Sequence, residues 1–200
     1  MSICEIIKIR SCDDEETRME LLLAIHCAPI LTGSKAANIV TVTLKEFHRI
    51  EYLLQGTGIS YRFLKTKRDQ GILYLYREEQ LIRYLRCQEV SSFLREYGYR
   101  EKNLNSMLYR LSNRISLYNC GVANFPHEIG VFLEYPLMDV RGFLDNDGKN
   151  FVYAGYWKVY HNVRGTVEKF RQYDRERDYT IRAITDGKSI REIVEEAGQR

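Results

Sequence analysis

Residues 59–77, ISYRFLKTKRDQGILYLYR, decide the fold class. Ile59 to Thr66 and Ile72 to Arg77 are rich in β-branched and aromatic residues, and the charged turn KRDQG separates them, which predicts an antiparallel hairpin. In GILYLYR, Leu73 and Leu75 fall on one face while Ile72, Tyr74 and Tyr76 fall on the other, so both surfaces are substantially apolar. One face is expected to carry helices and the other a second layer or a partner.

Outside this hairpin the apolar period is mostly helical. Asp13 and Asp14 cap a helix with Met19, Leu22, Leu23 and Ile25 on one side, expected to stop before Pro29 and to deliver His26 and Cys27 near its end. APILTGSKAAN then reads as an irregular or helical connector. Thr43 caps a second helix carrying Leu44, Phe47, Ile50, Leu53 and Leu54, ended by Gly56 and Gly58. Further helices are predicted at Glu78 to Arg86, at Glu89 to Tyr97 before Gly98, and at Asn103 to Tyr118.

Pro126 suits the first turn of a helix beginning near Asn124 or Phe125, with Glu128 in that turn, where the helix dipole favours negative charge. Leu137, Val140, Phe143 and Leu144 make a short helix ended by DNDGKN. NFVYAGYWKVY is too aromatic and β-branched for a surface loop and is expected as a strand, or as a packed irregular segment, against the hairpin. Val163 to Ile184 reads as a long charged helix, and Ser189 caps IREIVEEAG.

The expected class is α+β: a mainly helical single domain over residues 1–185, with a small antiparallel β-sheet around residues 59–77 and a second candidate strand segment at 151–160. Residues 186–200 are expected to form a short helical tail, packed on the domain or mobile.

The 200 residues, 44% apolar and 28% charged with 13 Gly and 3 Pro, have the balance of a folded domain. Thirty Lys and Arg against 27 Asp and Glu leave a charge of +3, too small to imply nucleic acid. The basic clusters at Arg62, Lys65, Lys67 and Arg68, and at Arg164, Lys169, Arg171, Arg175 and Arg177, read mainly as solvated faces. SIREIVEEAG resembles the start of a helix-turn-helix but is followed by no recognition helix, so DNA binding through it is disfavoured.

The first residues, MSICEIIKIRSCDDEETRM, lack the apolar core and cleavage site of a signal peptide, and LLLAI and GVFLEYPL fall short of a membrane span. A cytoplasmic location away from membranes is expected. Five Cys, at 4, 12, 27, 87 and 120, form no CxxC pair and suit reduced thiols.

The candidate chemistry lies in two stretches, 26–38 and 124–161. His127 and Glu128 form the leading candidate acid/base pair. Cys27 beside His26 is a candidate nucleophile, set against two facts: neighbouring helical side chains diverge, and a helix C-terminus disfavours a thiolate. The plainer reading of Cys27 is a buried structural thiol.

Lys35, in the Gly/Ser-containing LTGSKAAN, is a candidate anion contact, though the phosphate-loop spacing is missing. Tyr156, Trp157 and Lys158 are candidate cofactor- or ligand-binding residues, with Tyr153 and Tyr160 as further stacking surfaces. The alternatives are an aromatic core seam and a solvent-facing Lys158. His26, Cys27, His127 and Glu128 offer donors suited to zinc or iron only if they converge. HExxH, GxSxG, GxGxxG and Cys-rich cluster patterns are absent, so no metal, haem or nucleotide cofactor is assigned.

Three segments, LLLAIHCAPILTGSKAANI, FPHEIGVFLEYPLMDVRGFLDNDGKN and GYWKVY, together give the chain a resemblance to domain-of-unknown-function family 3793, a family chiefly of anaerobic Firmicutes. The resemblance covers most of the chain and brings no activity with it. Where it leads one to expect an apolar residue and Pro, this chain has Ser34 and Ala36.

Three roles compete. The leading one is recognition of a small polar molecule, with or without catalysis, in a cleft formed by residues 26–38 and 124–161. The second is a non-enzymatic regulatory or protein-interaction module, binding a protein partner or a second copy through the Tyr-rich hairpin and the late helix. The third is a cysteine-dependent enzyme.

Overall fold

The computed structural model describes residues 14–65, 70–100 and 103–199. The Asp13 cap, the first part of the KRDQG turn with Lys67 and Arg68, and Cys4 and Cys12 lie outside the described residues. The chain is a mixed α/β protein, mainly helical, with a small antiparallel sheet. In order its elements are α1 (Glu15–Leu31), β1 (Ala37–Thr43), α2 (Leu44–Leu53), β2 (Ser60–Lys65), β3 (Gln70–Tyr76), α3 (Glu78–Leu85), α4 (Gln88–Glu96), α5 (Leu104–Asn119), α6 (Ile129–Phe132), α7 (Leu137–Asp145), β4 (Tyr153–Ala154), β5 (Lys158–Val159), α8 (Val163–Thr185) and α9 (Ile190–Gly198). Two compact units result: one runs up to Arg77 and resumes at Gln172, and the other is Glu78–Arg171.

In the first unit, β2 and β3 form the antiparallel hairpin read from the sequence, and β1 adds a third strand, in the order β1-β3-β2. The connector expected at APILTGSKAAN is corrected at its end: Ala37 and Asn38 open ANIVTVT, a strand whose Val40 and Val42 point into the core while Thr41 is exposed. Its alternating β-branched residues satisfy the strand period, and pairing with β3 supplies the hydrogen bonds. The third strand makes β3 central, so both its edges are paired, and both its faces are covered, since Leu73 and Leu75 on one side and Tyr74 and Tyr76 on the other are buried. Leu73 and Leu75 join Val40 and Val42 in a core with Leu23, Cys27, Ile50, Ile184 and Ile193 from the surrounding helices. Each fully buried aliphatic side chain there contributes roughly 1.5–3 kcal/mol. On the opposite face Tyr74 and Tyr76 stack at 5.5 Å.

Helix α1 starts at Asp14, whose carboxylate accepts the Thr17 N–H at 2.8 Å. It continues through Pro29 to Leu31, which corrects the expected stop. A proline inside a helix removes its own donor and crowds the carbonyl four residues before it, which a helix can absorb when the turn beyond is held by other partners. The carbonyls beyond it find partners from outside the helix: Lys35 N–H and the Ser34 hydroxyl reach Pro29, and the Arg77 guanidinium covers Ile30 and Leu31 at 2.8 and 3.1 Å. Thr43 and Glu46 form a reciprocal cap on α2, and Ser189 and Glu192 form another on α9. Helix α9 packs on α1, and its first N–H is taken by Glu20 at 3.0 Å.

The second unit contains α3 to α7, the β4–β5 pair and the first turns of α8. The aromatic segment at 151–160 pairs with itself, Tyr153 opposite Val159. Gly142 lets α7 approach this segment closely, since a Cβ there would stand 2.5 Å from the Tyr160 ring.

Candidate functional site

The segment FPHE does not start a helix at Asn124 or Phe125, as its sequence suggests. It forms a tight turn in which the Ile129 and Gly130 amides bond back to Pro126 and His127, and α6 begins only at Ile129. The short α6 ends at Leu133, Glu134 takes a positive φ of 58°, and Pro136 precedes α7. This sharp path brings Phe125, His127, Tyr135 and Phe143 to a shared recess of about 200 Å³, completed by Trp157 and Lys158 from the β4–β5 segment.

Asp139 holds that segment in place. It is only 2% exposed, and its two oxygens accept three hydrogen bonds: the Trp157 indole N–H at 2.8 Å and the Tyr160 and His161 amides at 2.8 and 2.9 Å. Burying a carboxylate is tolerable because donors meet both of its oxygens. Trp157 is thereby oriented, stacked on Tyr135 at 5.0 Å and edge-on to Phe170 at 4.5 Å.

The polar groups of the recess are few. The half-buried His127 ring lies between Phe125 and Phe143, 5.1 Å from each. Lys158 donates to the Gly148 carbonyl at 2.6 Å and sits over the Phe143 and Phe151 rings at 5.5 and 5.0 Å. Gly148, with φ of 69°, makes the turn that presents this carbonyl. A lysine has three donors, so the pinned ammonium keeps others for a ligand. The recess thus presents flat apolar walls, one imidazole, one oriented cation and, at its border, the Asp139 carboxylate already engaged by its three donors.

Glu128 is not among the residues lining the recess. It is fully buried, accepts both ends of the Arg114 guanidinium, and accepts the Tyr99 hydroxyl at 3.0 Å. Burial, with the Glu128 charge close by, pushes the Tyr99 hydroxyl far above its usual range, so it remains a donor. Tyr156 is half-buried with its ring 5.4 Å from Phe170, and His161 is exposed, its Nδ1 3.9 Å from Asp139.

His26, Cys27 and Lys35 belong to the first unit. Cys27 is completely buried in the core, and burial pushes its thiol up to about 12 although the Lys35 charge opposes this. Lys35 is also buried, 3.4 Å from the Asn38 side-chain oxygen and over the Tyr173 ring at 5.8 Å, while Asn38 donates to the His26 carbonyl at 2.6 Å. The Ser34 hydroxyl bonds to Pro29 and to Glu176. These groups knit the end of α1 to β1 and α8. Among the described residues no group of three or more His, Cys, Asp or Glu side chains is placed to hold a metal ion.

Sequence reading passed over Asp139, Arg114 and Tyr99. Asp139 stands in the first turn of α7, where an acidic residue needs no further explanation than the helix dipole. Only its distant partners reveal its role. Phe143 was visible as part of the α7 stripe, with nothing to mark it as a wall.

The model of a family described as a protein of unknown function, DUF3793, matches residues 23–194. A search of the curated proteins found no match, and neither did a search of the solved structures.

Proposed function

We propose a small-molecule-binding role for this chain, which belongs to the DUF3793 family of proteins of unknown function. The ligand is a small planar molecule carrying an acidic group, and its site is the recess of the second unit. The observation that carries this reading is the convergence of Phe143, Trp157, His127 and Lys158 on one recess of about 200 Å³. Pockets for drug-sized ligands measure roughly 300–1,000 Å³, so a single ring with one substituent is the appropriate size. Aromatic walls favour a flat apolar body, and Lys158 with His127 favours a carboxylate or comparable anion at its edge.

Asp139 is engaged at both oxygens by its own donors and serves as a positioning residue. The reading locates the protein in the cytoplasm, in keeping with reduced cysteines, and assigns it no reaction. Cys27, His26 and Lys35 have no part in it.

Trp157 is the sole tryptophan of the chain and borders the recess, so its emission reports occupancy directly. Titration with benzoate should change that emission saturably, and benzamide should act far more weakly. Lys158→Met and His127→Ala should each weaken benzoate by about tenfold, the value of one charge-assisted hydrogen bond. Equal responses to benzoate and benzamide, or none to either, reject the proposal.

A further inference from the structure

Exposed apolar residues adjoin the aromatic recess on two sides, and each side touches a residue that lines it. On one side Tyr118 of α5, 44% exposed, meets the wall Phe125 edge-on at 5.1 Å. On the other, the Lys158 ammonium stands over Phe143, a wall of the recess, and over Phe151, which is outside the lining and 41% exposed. Val152 follows at 67% and Tyr153 at 44% exposure.

Single exposed apolar side chains are ordinary. A run of three that begins beside the ammonium of the recess, with a further ring against the wall across His127, has instead the arrangement of an anchor pocket set in an interaction surface. A free small acid accounts for the recess and leaves this rim unexplained. The rim calls for a ligand that continues outward.

The position of the charge says where that continuation starts. Lys158 is tied to the Gly148 carbonyl at 2.6 Å and has no carboxylate partner among the described residues. The carboxylate that borders the recess, Asp139, is engaged at both oxygens by other donors. An anion on Lys158 therefore sits between the enclosed Phe143 wall and the exposed Phe151 ring. The ligand must send a ring inward, hold its charge at this border and run outward from nearly one atom. The Cα of a C-terminal aromatic residue carries these three branches: the ring of its side chain, the α-carboxylate, and the amide that leads back into the peptide. Capture of a terminal carboxylate is a recurring mode of peptide recognition, and a recess of about 200 Å³ admits one such ring.

We infer that the recess binds the free C-terminus of a polypeptide that ends in an aromatic residue, the ring inside, the α-carboxylate on Lys158 and the preceding residues over Phe151 and Val152. The inference rests on the proposed uptake of an acid-bearing ring and names the partner that presents it.

The test uses the full chain and the emission of Trp157, with three probes: acetyl-trialanyl-phenylalanine with a free carboxylate, the same peptide as its C-terminal amide, and 3-phenylpropanoate, which has the ring and the acid without the chain. The peptide acid is expected to bind at least about tenfold tighter than 3-phenylpropanoate and at least about tenfold tighter than the amide. Val152→Ser, at an exposed position outside the recess lining, should weaken the peptide acid by about fivefold and leave 3-phenylpropanoate unchanged. If 3-phenylpropanoate binds as tightly as the peptide acid, the ligand is a free aromatic acid: the inference is overturned and the proposed small-acid site stands. It is overturned in the same way if Val152→Ser weakens both acids alike or neither, or if the amide binds as well as the peptide acid. A dimer in sedimentation that the peptide does not dissociate also overturns it, since a second copy then covers the rim. If both acids and benzoate leave the emission unchanged, the inference and the proposed function fall together.

Discussion

His127 and Glu128, joined by one peptide bond, occupy opposite surroundings: the imidazole borders the recess between Phe125 and Phe143, and the carboxylate is sealed inside against Arg114 and Tyr99. The turn that precedes α6 separates them. In the proposed function His127 is the member that meets a ligand, while Glu128 ties α6 to α5 through Arg114 and to Tyr99, three residues beyond α4.

Arg114 is the partner that makes this burial tolerable. Arg114→Met leaves the Glu128 carboxylate uncompensated and should cost about 3 kcal/mol of stability in urea unfolding. Glu128→Gln keeps an acceptor for Tyr99 without a buried charge, so its loss should be clearly smaller. Equal losses would show that the pair's charge is unimportant.

Asp139→Asn retains shape but turns one acceptor into a donor. A buried N–H is then left without a partner, at a cost of about 1–3 kcal/mol. If the orphan is the Trp157 indole, emission should shift to the red as the ring loosens, and benzoate affinity should fall with it. Unchanged emission together with unchanged stability would remove the positioning role of Asp139.

Cys27 should resist thiol reagents in the folded protein. With its thiol near 12, the reactive thiolate amounts to about one molecule in ten thousand at pH 8, and burial blocks access as well. The exposed Cys87 and Cys120 should label quickly, and Cys27 only on the timescale of unfolding. Fast labelling of Cys27 would revive a cysteine-dependent chemistry.

Glu20 gives a pH dependence of definite sign. Burial raises its carboxyl above 4.5, reinforced by the charges of Glu16, Asp14 and Glu192 and opposed by the bond from the Ile190 amide. A raised value means the folded chain holds the proton more tightly than the unfolded chain. The stabilising contribution is therefore complete below about pH 4.5 and is lost as pH rises through the folded value. Urea midpoints should show wild type losing stability relative to Glu20→Gln between pH 4.5 and neutrality, and a constant difference would contradict this.

What could be read in the sequence follows from the range of the interactions. Thr43 with Glu46 and Ser189 with Glu192 are caps completed within one helical turn, so residue type and spacing suffice. The doubly apolar pattern of β3 announced a strand covered on both faces. The strand that makes it central was obscured, because the Gly and Ser before ANIVTVT look like a connector and its pairing partner lies beyond a helix and another strand. The partners of Asp139 and Glu128 are remote in the same way: Trp157, Arg114 and Tyr99 stand in other elements, and nothing local marks them. The recess is legible only in part. His127, Trp157 and Lys158 stood out by type, whereas Phe125, Tyr135 and Phe143 became walls only through the turns at Pro126 and Glu134.

The guanidinium of Arg77 over the Ile30 and Leu31 carbonyls has a bearing on the order of folding. The last turn of α1, past Pro29, is anchored by a side chain that follows β3 in the chain, so a nascent or excised α1 peptide should unravel from Pro29 onward. That turn becomes helical only when the hairpin has closed, which makes it a late and cooperative event; amide exchange at Ile30 and Leu31 should track the opening of the sheet rather than the fraying of the helix.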